Sequence, residues 1–235
     1  MTLDPRDKAA WDAFAVAGKF HVPTVDDVPE ITTERAVFEA VAVLLEQIRA
    51  RVEHVDDSAT ASAKAFTRVL VDVPTGDTPA AYPTAYLDSV SVSDLDTVVD
   101  RPVIEDGEDV VTDTYALWRR GEDTGDASVK VFATTEPEST ALATAVREAL
   151  SGNLDTWSSA ILPMPVRSLP PPFRDHFPPE RMPSARVTPA DSRSAPTVDP
   201  ESGVWSVDVD FSWAATRYVA RPRIADFRPF VTLEP

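Results

Sequence analysis

A strand that leads directly into a helix, at residues 128–153, most constrains how this chain can fold. Its first part carries the apolar residues of a short buried strand, Val129, Val131 and Phe132. Thr135 and Glu138 then have the spacing of a capping box, in which each side chain satisfies a backbone N–H at the helix start. Gly152 supplies a stop, because glycine accepts the left-handed backbone at a helix end. The sequence therefore fixes both ends of one helix and the strand before it.

Two further segments have clear periodicity. Residues 32–54 predict a long helix with one apolar stripe, since their apolar residues recur at steps of three and four. Residues 203–213 alternate strictly between apolar and polar side chains, which predicts a strand with one dry and one wet face. The dry face would carry Trp205, Val207, Val209, Phe211 and Trp213. Asp208 and Asp210 project from the wet face.

Shorter patterns complete the predicted order of elements. Alternation predicts strands at 66–73, 85–92 and 110–119, and the sequence GEDTGD at 121–126 predicts a turn that folds 110–134 into a hairpin. An N-terminal helix is predicted over 4–18, with Trp11, Phe14 and Ala15 on one side. Consecutive strands flanked by helices favour an α+β fold, with a mainly antiparallel sheet or sandwich packed by two helices.

Prolines and charged residues are unevenly distributed along the chain. Eleven of the 22 prolines lie between Pro163 and Pro200, and residues 156–235 carry nine acids and nine arginines, a net charge of zero. We expect an acidic α+β core at 1–160, a proline-rich extended arm at 161–202, and closing strands with a C-terminal tail of the same domain at 203–235. Proline cannot donate to a strand ladder, so a strand at 159–166 would be an edge strand.

The overall composition is strongly acidic. The chain has 39 acids against 22 bases, a net charge of −17, and only four of the bases are lysines. Such a composition resembles that of proteins from salt-loving archaea and their viruses, where carboxylates keep a surface hydrated in high salt. An acidic mesophilic protein from a GC-rich genome would look similar. The charge disfavours tight binding to nucleic acid, which needs clustered Lys and Arg.

The sequence offers no catalytic signature. It contains no cysteine, which excludes disulfides and zinc–thiolate sites. Its three histidines have no metal-ligand spacing, and the seven glycines form no phosphate-binding loop. We therefore expect no enzyme activity, no catalytic, cofactor or metal residues, and no cofactor. Residues Glu105 to Asp109 could hold a hard cation but lack the spacing of a calcium loop, so a solvated acidic turn is the simpler interpretation.

Two surfaces are candidates for assembly. Arginines on an extended arm can pair with acidic patches of a neighbouring subunit. The predicted oligomer interface comprises Arg167, Arg174, Phe173, Phe177, Arg181, Arg186 and Phe230. The second surface is the wet strand face with Asp208 and Asp210, which in a ring could line the central channel.

The order helix 32–54, strands 66–73 and 85–92, hairpin 110–134, helix 136–151 and closing strands resembles the tail-terminator or tail-completion proteins of tailed viruses. The resemblance implies a structural protein that forms a ring, with six subunits expected, and joins the tail tube to the head-proximal connector. Its partners would be itself and other tail or neck proteins, and genome DNA would pass through without specific binding. The composition would make the host a haloarchaeon.

The implied location is the tail or neck of the virion, after assembly in the host cytoplasm. No apolar run is long enough to span a membrane, and the N-terminus has acids where a secretory signal needs bases, so we expect no membrane partner and no export by the general secretory route. Two alternatives remain open: a tail-tube or baseplate subunit, and a soluble cytoplasmic ligand-binding or regulatory protein of a halophile.

Overall fold

The computed structural model describes residues 28–52, 62–71, 81–95, 101–152, 159–177, 181–191 and 193–223. Two helices, α1 and α2, pack on one side of an eight-stranded sheet that is antiparallel except for one strand pair. The helices are α1, Thr33–Gln47, and α2, Glu136–Leu150. This architecture confirms the predicted α+β class and the sheet packed by two helices.

The strands vary widely in length. In chain order they are β1, Ala50–Val52; β2, Ser62–Lys64; β3, Arg68–Leu70; β4, Thr84–Leu95; β5, Arg101–Pro102; β6, Ile104–Glu105; β7, Glu108–Asp109; β8, Tyr115–Ala133; β9, Ala160–Pro163; β10, Ser184–Pro189; β11, Thr197–Val198; and β12, Trp205–Pro222. The main sheet has the order β3-β4-β8-β12-β10-β9, with β5 added to β8 and β11 added to β12. β1 with β2, and β6 with β7, form separate two-stranded sheets.

The predicted strand-to-helix unit is confirmed. The Thr135 hydroxyl accepts a hydrogen bond from the Glu138 backbone N–H, at 3.4 Å, and begins α2. The Glu138 carboxylate instead accepts from the Thr134 hydroxyl and pairs with Lys64 at 3.4 Å. Gly152 has φ +70° directly after the helix, as the predicted stop requires. Leu142, together with other apolar residues of α2, is fully buried against the sheet.

The predicted hairpin at 110–134 is wrong, because β8 runs without interruption through GEDTGD. Glu122 to Asp126 are in register with β12 on one side and with β4 on the other, so both neighbours continue the strand. Gly125 is needed where the strands crowd: an added Cβ would lie 2.6 Å from the Ser91 carbonyl oxygen and 2.7 Å from the Trp213 ring. This glycine therefore marks a close approach within a strand and not a turn.

The first helix is shorter than predicted. α1 begins at Thr33, next to the N-cap Thr32, but ends at Gln47 instead of near residue 54. Ile48 is extended, and the Arg49 guanidinium donates to the carbonyls of Glu46 and Ile48, which occupies acceptors at the helix end. Ala50 and Val52 then alternate with exposed Arg51 in β1. Apolar residues at 48 and 52 fit a helical stripe and a strand face equally well, so the pattern could not locate the boundary.

Two other strands also differ from expectation. Of the strand predicted at 66–73, the described residues 66–71 form a strand only at β3, which pairs in parallel with β4 where the sequence pattern suggested consecutive antiparallel strands. β12 is longer than predicted and continues to Pro222, with a register shift between Thr216 and Tyr218. Its alternation is confirmed, since Val207, Val209 and the other apolar residues to Ala215 are buried in the main core.

The proline-rich segment does not form an extended arm in the described residues. β9 is the edge strand, as predicted, and β10 lies between β9 and β12 inside the sheet. Short 3-10 helices at Val166–Ser168 and Pro171–Phe173 separate these strands. Leu169, Phe173 and Phe177, in or next to these helices, pack in a second hydrophobic cluster with Leu117 of β8 and Tyr218 of β12. Polyproline composition suggested an isolated segment, but the interspersed apolar residues are buried within the same domain.

Some predicted features fall on residues that the structure does not describe. They are the N-terminal helix at 4–18 and the C-terminal tail at 229–235, which includes Phe230.

The tight contact at Gly125 gives a first testable prediction. Gly125→Ala should lower the free energy of unfolding by about 1–3 kcal/mol, because overpacking a filled site forces the neighbours to move. For a chain of this size, each kcal/mol corresponds to roughly 2–4 °C in melting temperature. Thermal unfolding of the variant measures the loss. Ser212→Ala, at an exposed position of the neighbouring strand, is the control and should melt close to the wild type; equal melting of both variants would contradict the close approach.

Candidate functional site

The face of the main sheet that the helices leave uncovered, here called the open face, brings polar side chains from four strands together. Alternation along β4, β8, β12 and β10 directs the buried residues to the helices and their neighbours to the other side. The register places these neighbours in rows across the strands. The open face carries Asp88, Ser91, Thr124, Asp126, Ser128, Lys130, Asp208, Asp210, Ser212, Arg186 and Thr188. Four aspartates thus face one lysine and one arginine.

Lys130 is the cation at the centre of this face. It lies opposite Asp208 of β12, and its Nζ is 2.8 Å from the Asp88 carboxylate of β4. The hydrogen bond to Asp88 raises the pKa of Lys130, and the negative charge of Asp208 adds to the effect. One lysine therefore bridges three strands and offsets part of the charge of two carboxylates.

The two aspartates predicted to share a wet strand face do lie on the open face. Asp210 is exposed and Asp208 is half-buried. Burial raises the pKa of Asp208, and Asp210 and Asp88 raise it further, while Lys130 opposes the shift. Burial dominates because removing water disfavours the charged form. Carboxylate repulsion across this face is therefore only partly relieved within one molecule.

Ser128 lies between two of these acids. It faces Asp88 on one neighbouring strand and Asp210 on the other, and it is 4 % exposed. Its hydroxyl has no hydrogen-bond partner among the described residues. A small residue at this position lets the longer side chains of the row approach one another.

Most of the predicted interface residues are engaged within their own chain. Arg167 donates from Nη2 to both carboxylate oxygens of Glu39 at 2.9 and 2.8 Å, and Arg174 pairs with Glu30 at 3.0 Å. Phe173 is fully buried and Phe177 is 8 % exposed, both in the second hydrophobic cluster. Arg167, Arg174, Phe173 and Phe177 thus hold the proline-rich segment to the domain, and their place in an oligomer interface stays a prediction.

Arg181 and Arg186 are placed differently. Both are exposed, and neither forms an ion pair with another described residue. Arg186 projects from β10, next to the edge strand β9, and Asp88 lies on β4 towards the other side of the open face. Three inter-strand spacings, roughly 14 Å, separate the two strands. Arg186 thus adds a cation on the β10 side of the open face, whereas the charge of Asp88 on the β4 side is partly offset by Lys130.

The acidic sequence at Glu105 to Asp109 forms a tight hairpin of β6 and β7 that turns at Asp106 and Gly107. The Glu105 carboxylate lies 3.3 Å from Nε2 of His176. Within the described ranges, no three Asp, Glu or His side chains converge as a metal site would require. Nothing in this geometry distinguishes the hairpin from the solvated acidic turn that the sequence suggested.

Comparison with known proteins does not assign the chain. No protein-family model matches the sequence, and the search of curated proteins gives no significant match. Among the described helices, none is long and apolar enough to cross a bilayer. The candidate function therefore rests on the geometry and charge of the open face.

Sequence reasoning identified Asp208 and Asp210 but missed their partners. Lys130 is the polar residue between Val129 and Val131, so alternation alone places it on the polar face of its strand. The wrongly predicted hairpin did not predict that this strand is paired on both sides, with β4 and with β12. Asp88 and Arg186 join the face only through strand pairing between segments distant in sequence. Residues 121–126, GEDTGD, show no apolar–polar alternation, so they carry no signal that the strand continues through them.

The raised pKa of Asp208 gives a second prediction. An acid whose folded pKa exceeds its unfolded value binds more protons in the folded state, so its ionisation costs stability at neutral pH. Asp208→Asn should therefore raise the melting temperature at pH 7. The gain should shrink as the pH falls through the raised pKa of folded Asp208, and it should vanish only below the ordinary Asp value of about 3.9, where the wild-type carboxyl is protonated in both states.

Asp210→Asn, at the exposed aspartate two residues along β12, provides the control for this measurement. Melting temperatures of wild type, Asp208→Asn and Asp210→Asn are compared between pH 7 and pH 4. A gain for Asp208→Asn that is unchanged across this range would show that charge burial at Asp208 is not its cause.

Proposed function

We propose that this chain is a structural subunit of the tail or neck of a tailed virus, which assembles with copies of itself into a ring. The proposed role is that of a tail-terminator or tail-completion protein that joins the tail tube to the head-proximal connector. The observation that carries the proposal is the open face, a broad polar sheet surface with four aspartates and no helix over it among the described residues.

The charges of this face suit a channel through which DNA passes. A surface with excess carboxylate repels phosphate, and clustered cations that would hold a DNA backbone are lacking on the described part of the face. In the proposed ring, the open faces of successive subunits line the lumen. Asp126 and Asp210, which are exposed, would supply much of the negative potential.

The unpaired arginines suit the contact between subunits. A closed ring needs heterologous contacts, in which one patch of a subunit meets a different patch of the next. Arg186 of β10 and Arg181, which precedes β10, can each pair with aspartates on the open face of a neighbour. Charges that are exposed in one subunit become partly buried when two subunits meet, and salt screens such partly buried pairs less than exposed ones.

The first test of the proposal is the molar mass of the purified chain by light scattering, in molar salt and at low salt. A discrete species with the mass of a ring supports the proposed function, and electron microscopy of that species would then count its subunits. Open-ended polymers would favour a tail-tube subunit instead. A monomer under both conditions would contradict autonomous ring assembly and favour a soluble binding protein.

A third prediction concerns the arginines. The variant Arg181→Glu/Arg186→Glu should lose the ring species, because the introduced carboxylates would repel the aspartates of the next subunit instead of pairing with them. The control is Arg51→Glu/Arg68→Glu, which changes the net charge equally at two exposed arginines on β1 and β3. Equal loss of assembly in both variants would show that net charge, and not pairing through Arg181 and Arg186, controls association. Circular dichroism of both variants checks that the fold is retained.

A further inference from the structure

An apolar groove lies between α1 and the edge strand β9. Ala40, Val43 and Leu44 form one wall, and Leu162, Met164 and Met182 form the other. The groove has a volume of 460 Å³, within the usual range of about 300–1,000 Å³ for sites that bind a small ligand or a few side chains. Val43 is 56 % exposed on α1, although it lies on a helix whose other apolar residues are mostly buried. Of the other lining residues, Ala40, Leu162 and Met164 are buried and Leu44 is partly buried, so Val43 forms the open part of the α1 wall.

The N-terminal end of the described chain lies beside this groove. The Glu30 backbone N–H donates to the Arg167 carbonyl at 3.2 Å, and the Arg167 side chain reaches Glu39, which lines the groove. Arg174 holds the Glu30 carboxylate at 3.0 Å. Arg167 and Arg174 therefore hold Glu30, close to where residues 1–27 join the described chain.

Those 27 residues contain an apolar pattern that fits an apolar groove. Trp11, Phe14 and Ala15 recur at helical spacing between polar residues. Residues 19–27 span at most about 30 Å when extended, which is ample to return along α1. Two aromatic side chains bury about 150–250 Å² each on docking, a large gain for a short segment.

We propose that the groove between α1 and β9 is the docking site of the N-terminal segment 1–27 of the same molecule, with Trp11 and Phe14 as its anchors. A tethered segment has an effective concentration of about millimolar, so it competes well against a second copy of the chain at ordinary protein concentrations. This inference is independent of the ring assembly proposed above.

Cross-linking tests the proposal directly, because the chain has no cysteine and engineered pairs are therefore unique. The full-length variant Ala15→Cys/Val43→Cys is treated with a short bismaleimide, and the product is identified by mass spectrometry. The proposal predicts rapid cross-linking within one chain. The matched control Ala15→Cys/Val198→Cys places the second cysteine at another exposed valine, on β11, and should cross-link at least tenfold more slowly.

Two outcomes of the cross-linking would overturn the proposal. Cross-linked dimers would show that a second copy occupies the groove. Equal rates for the two pairs would show that the segment does not dock there. Circular dichroism confirms that each variant is folded before the rates are compared.

Limited proteolysis gives an independent readout without cysteines. Trypsin should cleave after Lys8, within the docked segment, about tenfold faster in Val43→Asp than in the wild type, since a carboxylate in the groove would release the segment. Val198→Asp, with the same charge change, should be cleaved at the wild-type rate. Equal cleavage of wild type and Val43→Asp would contradict docking in the groove.

Discussion

The pairing of β8 with β12 is the interaction on which the rest of the structure depends. Their ladder extends from Trp205 opposite Ala133 to Pro222 opposite Tyr115, with one shift of register. All other strands of the main sheet, and both helices, are positioned by these two strands. Because side chains alternate along each strand, one register decides which residues meet the helices and which form the open face.

The two faces of this ladder have opposite properties. Apolar residues on one face pack in the main core with α1 and α2. Lys130, Asp208 and Asp210 lie on the open face, next to Asp88 of β4. Lys130 offsets only part of this acidity, and burial raises the pKa of Asp208. A surface that keeps charge repulsion at some cost to stability is typical of a functional site, since stability alone would favour neutral side chains there. This is the physical basis of the proposed acidic lumen.

Local signals in the sequence were sufficient for some elements and misleading for others. The cap at Thr135, the stop at Gly152 and the alternation in β12 each depend on neighbouring residues, so they were predicted correctly. GEDTGD has turn-forming residues, but strand pairing on both sides overrides that preference and Gly125 serves a close contact. The open face was only half predictable, because the residues that join Asp208 and Asp210 come from distant strands whose pairing no local pattern reveals.

Hydrogen exchange of the backbone amides at 121–126 tests the central claim most directly. In a continuous β8, these amides lie between two hydrogen-bonded neighbours and should exchange as slowly as those at 128–132. Rapid exchange confined to 121–126, with protection on both sides, would instead indicate the turn that the sequence suggested. That result would contradict the continuous ladder and the open face built on it.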